Sequence, residues 1–136
     1  FVFQSFGLLP LLSSYENVEL PLRIIGETRK NRQKRVEEVL EMVQLTHRAG
    51  HRPYELSGGE QQRVAIARSI VNEPPLILAD EPTGELDSLT ATSIFQLFRE
   101  IADRQKVSII ATTHDETIIN LATTVKELRD GTIVGQ

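Results

Sequence analysis

The hydrophobic pattern of the chain alternates between short apolar runs and helical stretches. Residues 76–79 are all apolar, as in parallel strands that are buried on both faces, and residues 107–112 are predicted to form a second buried strand. Apolar residues between these runs recur at helical spacing, which predicts a helix over 88–103, and a further helix is expected to begin at His114. Strands that alternate with helices predict an α/β fold with a mainly parallel sheet.

The part of the chain before residue 76 is patterned almost entirely for helices. Ser13 and Glu16 match a capping box at a helix start, and Pro21 should end that helix nearby. From Val36 onward, apolar residues recur on one face of an amphipathic helix. We interpret the basic segment 26–34 before this face as a solvated helix start.

A third helix is predicted to run from its N-cap, Ser57, to about Val71. Glu60 stands three residues after Ser57 and completes a second capping box. We therefore expect a helical subdomain over about 10–72, inserted into a sheet-containing core formed by 1–9 and 73–136.

Strand-like runs also occur near both ends of the chain. Residues 125–128 and 132–134 are joined through Asp130 and Gly131, which predicts a β-hairpin. The chain begins without methionine at Phe1, inside a strand-like run, and it stops at Gln136 just after the hairpin. We interpret it as a fragment of a longer protein.

Composition narrows the classes of function. The 136 residues are about the length of one domain and have an ordinary globular composition. The net charge of -4 provides no evident basic surface, so we expect no nucleic-acid partner. The chain contains no cysteine, which excludes disulfides and thiolate metal sites. No apolar run approaches the ~20 residues needed to cross a bilayer.

Ser57, Gly58 and Gly59 form a candidate phosphate site. The two glycines leave the first helical turn without side chains, so backbone N–H groups can approach an anion, and the helix dipole adds roughly half a positive charge. The Ser57 hydroxyl can donate as well. A capped helix with a flexible entry is the alternative for these three residues alone, but Leu56 before them and the polar run 60–63 after them make the motif more specific.

Asp80 and Glu81 form a candidate catalytic pair at the carboxyl end of the strand predicted over 76–79. Open α/β sheets bind ligands at this edge. Neighbouring strand residues point to opposite sides, so one carboxylate can hold Mg²⁺, through water, while the other polarises an attacking water. An ordinary acidic turn before Pro82 is the alternative, and the apolar run before the pair favours the site.

His114 and Gln4 are further candidates. His114 ends the next apolar strand, so it should emerge at the same edge of the sheet, where it could donate a hydrogen bond to a terminal phosphate. Gln4 follows the strand-like start of the chain and could reach Mg²⁺ or the attacking water. A lone histidine after a strand is more often a satisfied polar residue, and Gln4 by itself indicates nothing.

Taken together, these motifs resemble the ATP-binding subunit of an ATP-binding-cassette (ABC) transporter. Residues 56–60 match the signature motif of that family, and 76–81 match its Walker B strand with the catalytic carboxylate. Residues 84–87 resemble the D-loop, 113–115 the H-loop and 3–4 the Q-loop. The resemblance implies a partial P-loop NTPase fold, in which residues 1–136 are the C-terminal portion of one ATPase domain with an inserted helical signature subdomain. Residues 9–10, 16–22 and 79–84 resemble the branch of lipoprotein-release, macrolide-efflux and cell-division ATPases.

The resemblance also implies a role for each candidate residue. Glu81 would be the general base or water-polarising residue, Asp80 would act on Mg²⁺, and His114 would contact the γ-phosphate. Gln4 would sense Mg²⁺ and the γ-phosphate while it couples to the membrane subunit. In this family ATP lies between two subunits, so the signature would bind the nucleotide that the partner holds, and Asp87 would lie along the dimer interface. The signature residues concerned are Ser57, Gly58, Gly59 and Glu60.

The function implied is ATP binding and hydrolysis that powers export or extraction of a lipoprotein, peptide or drug. The cofactors implied are ATP and Mg²⁺. The partners implied are a second ATPase subunit, in a head-to-tail dimer, and a transmembrane permease subunit. The location implied is peripheral, on the cytoplasmic face of the inner membrane.

One motif of the family is absent. None of the 8 glycines is followed by lysine, so the chain has no Gly-Lys-Ser/Thr loop of the Walker A type. In P-loop folds that loop cradles the β- and γ-phosphates, and its lysine offsets their charge. We therefore expect this chain alone neither to hold ATP in its own site nor to hydrolyse it. We also expect the strand over 107–112 to be partly unpaired, which is an aggregation hazard.

Two other functions remain open. The first is a non-catalytic interaction module that retains the signature helix and a docking surface. The second is a chromosome-maintenance or DNA-repair ATPase head, which also carries a signature and a Walker B strand. The short helical link between Gln4 and the signature, together with the acidic net charge, disfavours this second alternative.

Overall fold

The computed structural model describes residues 1–134, with all their side chains except that of Thr117. None of the described helices is long and apolar enough to cross a membrane. Short 3-10 turns occur at Thr46–Arg48 and Pro53–Glu55. The described helices and strands, in chain order, are α1 (Ser14–Ile24), α2 (Arg29–Met42), α3 (Gly58–Ile70), β1 (Leu76–Ala79), α4 (Ser88–Gln105), β2 (Ser108–Ala111), α5 (Glu116–Ile119), β3 (Glu127–Arg129) and β4 (Thr132–Val134).

Helices α1 to α3 all begin at side-chain caps, and the caps of α1 and α3 were predicted. The Glu16 N–H donates to the Ser13 hydroxyl oxygen at 3.2 Å, and the Ser13 N–H donates to the Glu16 carboxylate at 2.8 Å. Ser57 and Glu60 form the same reciprocal pair at the start of α3. Thr28 caps α2, so the basic segment after it is the solvated start of a helix.

The helix end expected near Pro21 lies three residues later, at Ile24, and Pro21 itself is inside α1. A proline lacks its own N–H and its ring crowds the preceding turn, but its carbonyl can still accept a hydrogen bond from the following turn. The Ile25 N–H donates to the Pro21 carbonyl at 3.2 Å. The helix therefore continues for most of one turn beyond the proline.

The larger sheet is parallel, as predicted. β1 and β2 pair along their full length and finish with Ala79 opposite Ala111. On the other side of β1, the strand-like start of the chain contributes a single bridge through Val2. The Val2 N–H donates to the Leu78 carbonyl at 2.8 Å, and the Val2 carbonyl accepts from the Asp80 N–H at 2.9 Å. The bridge brings the start of the chain to the end of β1.

The expectation that these strands are buried on both faces is wrong for the described residues. Ile77 and Ala79 lie on a buried face of β1, whereas Leu76 and Leu78 on its other face are 44% and 42% exposed. Ile110 of β2 is 59% exposed. The buried face packs against the helices, and no described element covers the other one. An apolar run shows that both faces of a strand can be buried, but it does not show which segment covers each face.

One hydrophobic cluster extends through the helices and the sheet. Each of its fully buried aliphatic side chains contributes roughly 1.5–3 kcal/mol to the stability of the fold, because its apolar surface is removed from water. Helices α1 to α3 lie between the Val2 bridge and β1 in the chain, as an insertion would require. Because the cluster is continuous, no gap in packing marks the predicted boundaries at 10 and 72, and the division of the chain stays a prediction. Members of the cluster include Val18, Val39, Ile66, Ile77 and Ile94.

β3 and β4 form the predicted hairpin. Arg129 pairs with Thr132, which leaves Asp130 and Gly131 as the two-residue turn. Both turn residues have positive φ, 49° and 75°, as a type I′ turn requires. Aspartate tolerates this conformation and glycine has no Cβ to oppose it, so the local sequence explains the turn.

Candidate functional site

An open cleft of about 130 Å³ lies at the carboxyl edge of the larger sheet. The Glu81 side chain faces this cleft and is 37% exposed. The rest of the wall comes from the turn after Glu81 and from the segment after β2. Two predicted site residues, Glu81 and His114, therefore meet in one cleft. The lining residues are Glu81, Thr83, Gly84, Leu86, Thr113, His114 and Asp115.

Glu81 and His114 contact each other directly. Nδ1 of His114 lies 3.1 Å from Oε2 of Glu81. This contact is a hydrogen bond when Nδ1 carries a proton, and it becomes an ion pair when the whole ring is protonated. The sequence placed both residues at the same edge but did not predict that they touch. The imidazole thus helps to fix the direction of the Glu81 carboxylate within the cleft.

Thr112 holds the acidic pair together, and sequence analysis missed this residue. The Glu81 N–H donates to the Thr112 hydroxyl oxygen at 2.9 Å, and that hydroxyl donates to Oδ1 of Asp80 at 2.9 Å. Thr112 follows Ala111, which pairs with Ala79 in the parallel ladder, so it lies beside Asp80. The sequence did contain a signal for this role. Thr112 directly follows one predicted strand, and the acidic pair directly follows the neighbouring strand.

The backbone of Glu81 is strained. Its φ is 40°, in the left-handed region that disfavours residues with a Cβ, at a cost of roughly 1–3 kcal/mol. β1 ends at Ala79, so the alternation of strand side chains that was expected for Asp80 and Glu81 does not extend to this position. The Gly84 N–H donates to the Glu81 carbonyl at 3.0 Å and closes a turn after it.

Gln4 reaches the same turn from the start of the chain. A Cβ added to Gly84 would lie 2.7 Å from Nε2 of Gln4 and 3.2 Å from its Cδ. The Gln4 amide therefore lies directly against Gly84, and the missing side chain at Gly84 permits this approach. The predicted residues that the structure brings to this edge of the sheet are Gln4, Asp80, Glu81 and His114.

The signature glycines are explained by packing. A Cβ added to Gly58 would lie 3.2 Å from Cδ2 of Leu86, and one added to Gly59 would lie 2.6 Å from Cγ2 of Thr90. The start of α3 therefore packs closely against Leu86, just before α4, and against Thr90 in the first turn of α4, a reason that sequence analysis did not give. Ser57 is exposed at the tip of α3, where its hydroxyl oxygen accepts from the Glu60 N–H at 3.3 Å. The phosphate role of this motif stays a prediction.

Both carboxylate oxygens of Glu60 are engaged within the chain. Oε2 accepts from the Ser57 N–H at 2.8 Å, and Oε1 accepts from Nε of Arg48 at 3.0 Å. The hydrogen bond from the Ser57 backbone, helped by Arg48, holds the pKa of Glu60 below its ordinary value. Glu60 thus shapes the helix start, and its expected contact with a nucleotide stays a prediction.

Asp87 caps α4. Its Oδ1 accepts from the N–H groups of Leu89 and Thr90 at 3.1 Å and 3.0 Å, and its Oδ2 accepts from the Thr90 hydroxyl at 2.6 Å. The hydrogen bonds from Thr90 lower the pKa of Asp87. Because Thr90 also packs on Gly59, the Asp87 cap adjoins the signature motif. The place of Asp87 in a dimer interface stays a prediction.

Leu86 separates the candidate residues into two neighbouring surfaces. Its side chain meets Gly58 on one side, and it lines the Glu81 cleft on the other. None of the described residues that line the cleft belongs to the signature motif. The signature and the cleft are therefore adjacent surfaces of the chain rather than two walls of a single cavity.

The donor atoms at the sheet edge suit Mg²⁺. The Asp80 carboxylate and the Gln4 amide both offer oxygen, the ligand type that Mg²⁺ prefers. Mg²⁺ commonly takes one or two protein carboxylates and completes its octahedron with water and substrate phosphates. Among the described residues, no group of three or more His, Cys, Asp or Glu is placed to hold a metal ion. The residues present thus fit an ion that arrives together with phosphate ligands.

Comparison with known proteins gives consistent matches. The ABC transporter family matches residues 1–84, more than half of the chain. An uncharacterized ABC transporter ATP-binding protein of Thermotoga maritima is 49% identical over 135 residues, which cover 99% of this chain and 57% of that protein. The lipoprotein-releasing system ATP-binding protein LolD 2 of Caulobacter vibrioides is 46% identical over 131 residues, 96% of this chain and 58% of that protein. The chain thus spans less than two thirds of these relatives.

Solved structures confirm the predicted fold. The dimeric ATP-binding cassette MJ0796 of Methanocaldococcus jannaschii, in a post-hydrolysis state bound to ADP and Pi, matches with a TM-score of 0.82 at 43% identity, over 97% of this chain and 59% of that one. The protein cbiO1 of Clostridium perfringens, part of the ABC transporter complex cbiONQ, matches with a TM-score of 0.91 at 29% identity, over 98% of this chain and 54% of that one. The chain therefore belongs to the ABC transporter family, and it corresponds to part of that family's ATP-binding domain.

Proposed function

We propose that this chain is part of an ATPase subunit that powers transport, in which Glu81 polarises the attacking water. The observation that carries the proposal is the 3.1 Å contact between Glu81 and His114 in the cleft at the carboxyl edge of the sheet. A half-buried carboxylate that is oriented by an imidazole, yet open to solvent, can accept a proton from a water molecule in the cleft. With both ring nitrogens protonated, His114 would also donate, from its other nitrogen, to a terminal phosphate in the cleft.

Asp80 and Gln4 would hold Mg²⁺ at the same edge. When bound, this ion would offset the negative charge of the terminal phosphates of ATP. The Thr112 hydroxyl orients the Asp80 carboxylate, and contact with Gly84 positions the Gln4 amide. Both groups are therefore placed before any ligand arrives, which lowers the cost of organising the site.

The signature residues would serve a nucleotide held by a second subunit. They lie outside the Glu81 cleft but adjoin it through Leu86, and Ser57 is exposed at the start of α3. This arrangement supports a head-to-tail dimer in which each nucleotide meets the cleft of one subunit and the signature of the other. The MJ0796 cassette is dimeric, which supports the pairing of two subunits. Asp87 would then lie along the interface, close to the signature residues Ser57, Gly58, Gly59 and Glu60.

The remaining proposals concern the whole protein. Its ATPase domain would include an upstream glycine-lysine loop, and residues 10–72 of this chain would form the helical subdomain of that domain. A transmembrane permease would be its partner, which would place it at the cytoplasmic face of the inner membrane; cbiO1, a structural relative, is part of a transporter complex. The whole protein would power export or extraction of a lipoprotein, peptide or drug. The identity to LolD 2, which belongs to a lipoprotein-releasing system, supports the lipoprotein among these.

The test is ATP hydrolysis by the full-length gene product that contains these residues. We expect Mg²⁺-dependent turnover, and a fall in kcat of about 100-fold or more in Glu81→Gln, as for loss of a general base. Glu85→Gln is the matched control, because this exposed carboxylate lies on the same loop but does not line the cleft. An unchanged kcat in Glu81→Gln would refute the role of Glu81.

Residues 1–136 alone provide a second arm. Without a glycine-lysine loop they should neither hydrolyse ATP nor bind it tightly, which titration calorimetry with Mg²⁺ and ATP can measure. Tight Mg²⁺-dependent binding by this chain would contradict the expectation. Absence of hydrolysis from the full-length product would instead favour the non-catalytic interaction module.

A further inference from the structure

We infer that Gln62 is a positioning residue for Glu81, which links the signature helix to the loop that carries this carboxylate. The inference rests on the role proposed above for Glu81. Gln62 lies on α3 and is fully buried, with 0% of its surface exposed. Its Nε2 donates a hydrogen bond to the carbonyl of Pro82, the residue directly after Glu81.

The buried Gln62 amide uses only one of its two polar atoms. Its Oε1 is buried and has no hydrogen-bond partner among the described residues. An unpaired polar atom in the interior is unfavourable. An unbranched apolar side chain of similar length would avoid this cost at Oε1, but it would remove the donor to the carbonyl of the buried Pro82. The hydrogen bond that Gln62 does make is directed at another segment rather than at its own helix. The benefit of the amide is therefore local, at the Pro82 carbonyl.

The loop at Glu81 needs such support because its backbone is strained. With φ at 40°, Glu81 keeps its conformation only if the surrounding contacts maintain it. Thr112 accepts the Glu81 N–H at 2.9 Å, and the Gly84 N–H donates to the Glu81 carbonyl at 3.0 Å. The first contact comes from the end of β2 and the second is internal to the turn. The Gln62 amide adds an anchor from a third element, α3.

The position of Gln62 gives this anchor a regulatory consequence. Gln62 stands five residues after Ser57, within the first two turns of α3. When the partner's nucleotide shifts the start of α3, the Gln62 amide would carry that displacement to the backbone beside Glu81 in the same chain. The Leu86 contact also joins these surfaces, but it is apolar and does not fix the direction of the loop backbone.

The experiment compares Gln62→Met with Gln61→Met in the full-length gene product. Methionine preserves the unbranched shape and removes the amide. Gln61 is the matched control, because it is adjacent on α3 and its amide donates to the Leu56 carbonyl at 3.3 Å rather than to the Glu81 loop. The first readout is amide hydrogen exchange across residues 81–84, measured by mass spectrometry without nucleotide. The second is the division of any rate loss between kcat and KM for ATP.

We expect Gln62→Met to accelerate exchange at 81–84 by about tenfold and to lower kcat by about tenfold, with KM within about twofold of wild type. Gln61→Met should change neither. Thermal unfolding should show both variants folded, and Gln62→Leu serves as a second test if Gln62→Met is not. Unfolding of both Gln62 variants would overturn the inference, because the amide would then be needed for the fold rather than for Glu81.

The outcomes separate this inference from the proposed function. Wild-type exchange and kcat in Gln62→Met, combined with an inactive Glu81→Gln, would reject the positioning role and retain the role of Glu81. Faster exchange in Gln62→Met, combined with an active Glu81→Gln, would confirm the structural link but reject a catalytic purpose for it.

Discussion

Hydrogen bonds keep two exposed or half-exposed carboxylates ionised at helix starts. Asp87 accepts from two backbone N–H groups and one hydroxyl at the start of α4, and Glu60 accepts from the Ser57 N–H at the start of α3. The pKa of each group is lowered by these bonds. The stability of these two helix starts, which lie around the candidate site, therefore depends on pH.

Asp87 should contribute to acid unfolding. Its pKa in the folded state lies below the ordinary value of 3.8, so its stabilising contribution is complete above that value and is lost as pH falls through the folded pKa. Asparagine also caps helices but does not titrate. Between about pH 7 and about pH 3, Asp87→Asn should therefore lose less unfolding free energy than wild type, as measured by urea denaturation. Equal losses would show that Asp87 does not contribute to this pH dependence.

The site residues that could be predicted from the sequence differ from those that were missed in whether their roles depend on local pattern or on contacts between distant segments. Asp80, Glu81 and His114 could be predicted because each directly follows an apolar run, and parallel strands end at a common edge. Thr112 and Gln62 could not, because their roles depend on which backbone atoms meet across separate segments. Local patterns identify the groups that carry chemistry more readily than the groups that position them.

At the scale of elements, the contact between α3 and α4 depends on Gly59. An alanine methyl there would lie 2.6 Å from Cγ2 of Thr90, so Gly59→Ala should cost about 1–3 kcal/mol of unfolding free energy, as in other overpacked contacts. Urea denaturation measures this loss. Adding Thr90→Ser removes Cγ2 but keeps the hydroxyl that bonds Asp87, so the double variant should recover most of it.

Gly50→Ala provides the control for Gly59→Ala. A Cβ added to Gly50 would have no neighbour within 4 Å, so this variant should change stability by less than about 0.5 kcal/mol. If Gly59→Ala were equally mild, or if Thr90→Ser gave no recovery, the close approach of the two helices would not be what requires glycine at this position.

Helix starts and turns could be predicted where they are determined by residues close together in the sequence. The capping boxes at Ser13 and Ser57 and the Asp130-Gly131 turn follow from side chains that act on their own backbone. A loop anchor was not predictable. The two hydrogens of the buried Asn17 amide are shared among the carbonyls of Leu9, Leu12 and Ser13, and its oxygen accepts from the Leu9 N–H. Nothing in the local pattern indicates that this asparagine turns inward to hold a loop without regular secondary structure.

At the scale of the whole molecule, the two faces of the larger sheet differ. One face packs into the hydrophobic cluster, while Leu76, Leu78 and Ile110 are exposed by 42–59%. β2 pairs with β1 on one side, and no described strand pairs with its other edge. The expectation of strands buried on both faces failed because coverage depends on the whole domain, and this chain spans 57–58% of two relatives in the same family.

Residues 1–136 in isolation should therefore bind an apolar dye and self-associate through this face. Leu78→Lys should reduce dye fluorescence and move the sedimentation profile towards the monomer, because it places a charge at the centre of the exposed strand. Leu89→Lys is the control, since Leu89 is 85% exposed but lies on the helix α4 rather than on a strand of the sheet. In the full-length gene product, an upstream segment that covers the sheet should suppress dye binding. If Leu78→Lys and Leu89→Lys had equal effects, the association would come from exposed apolar side chains in general. If wild-type residues 1–136 stayed monomeric and bound no dye, the exposed face of the sheet would not be an association surface.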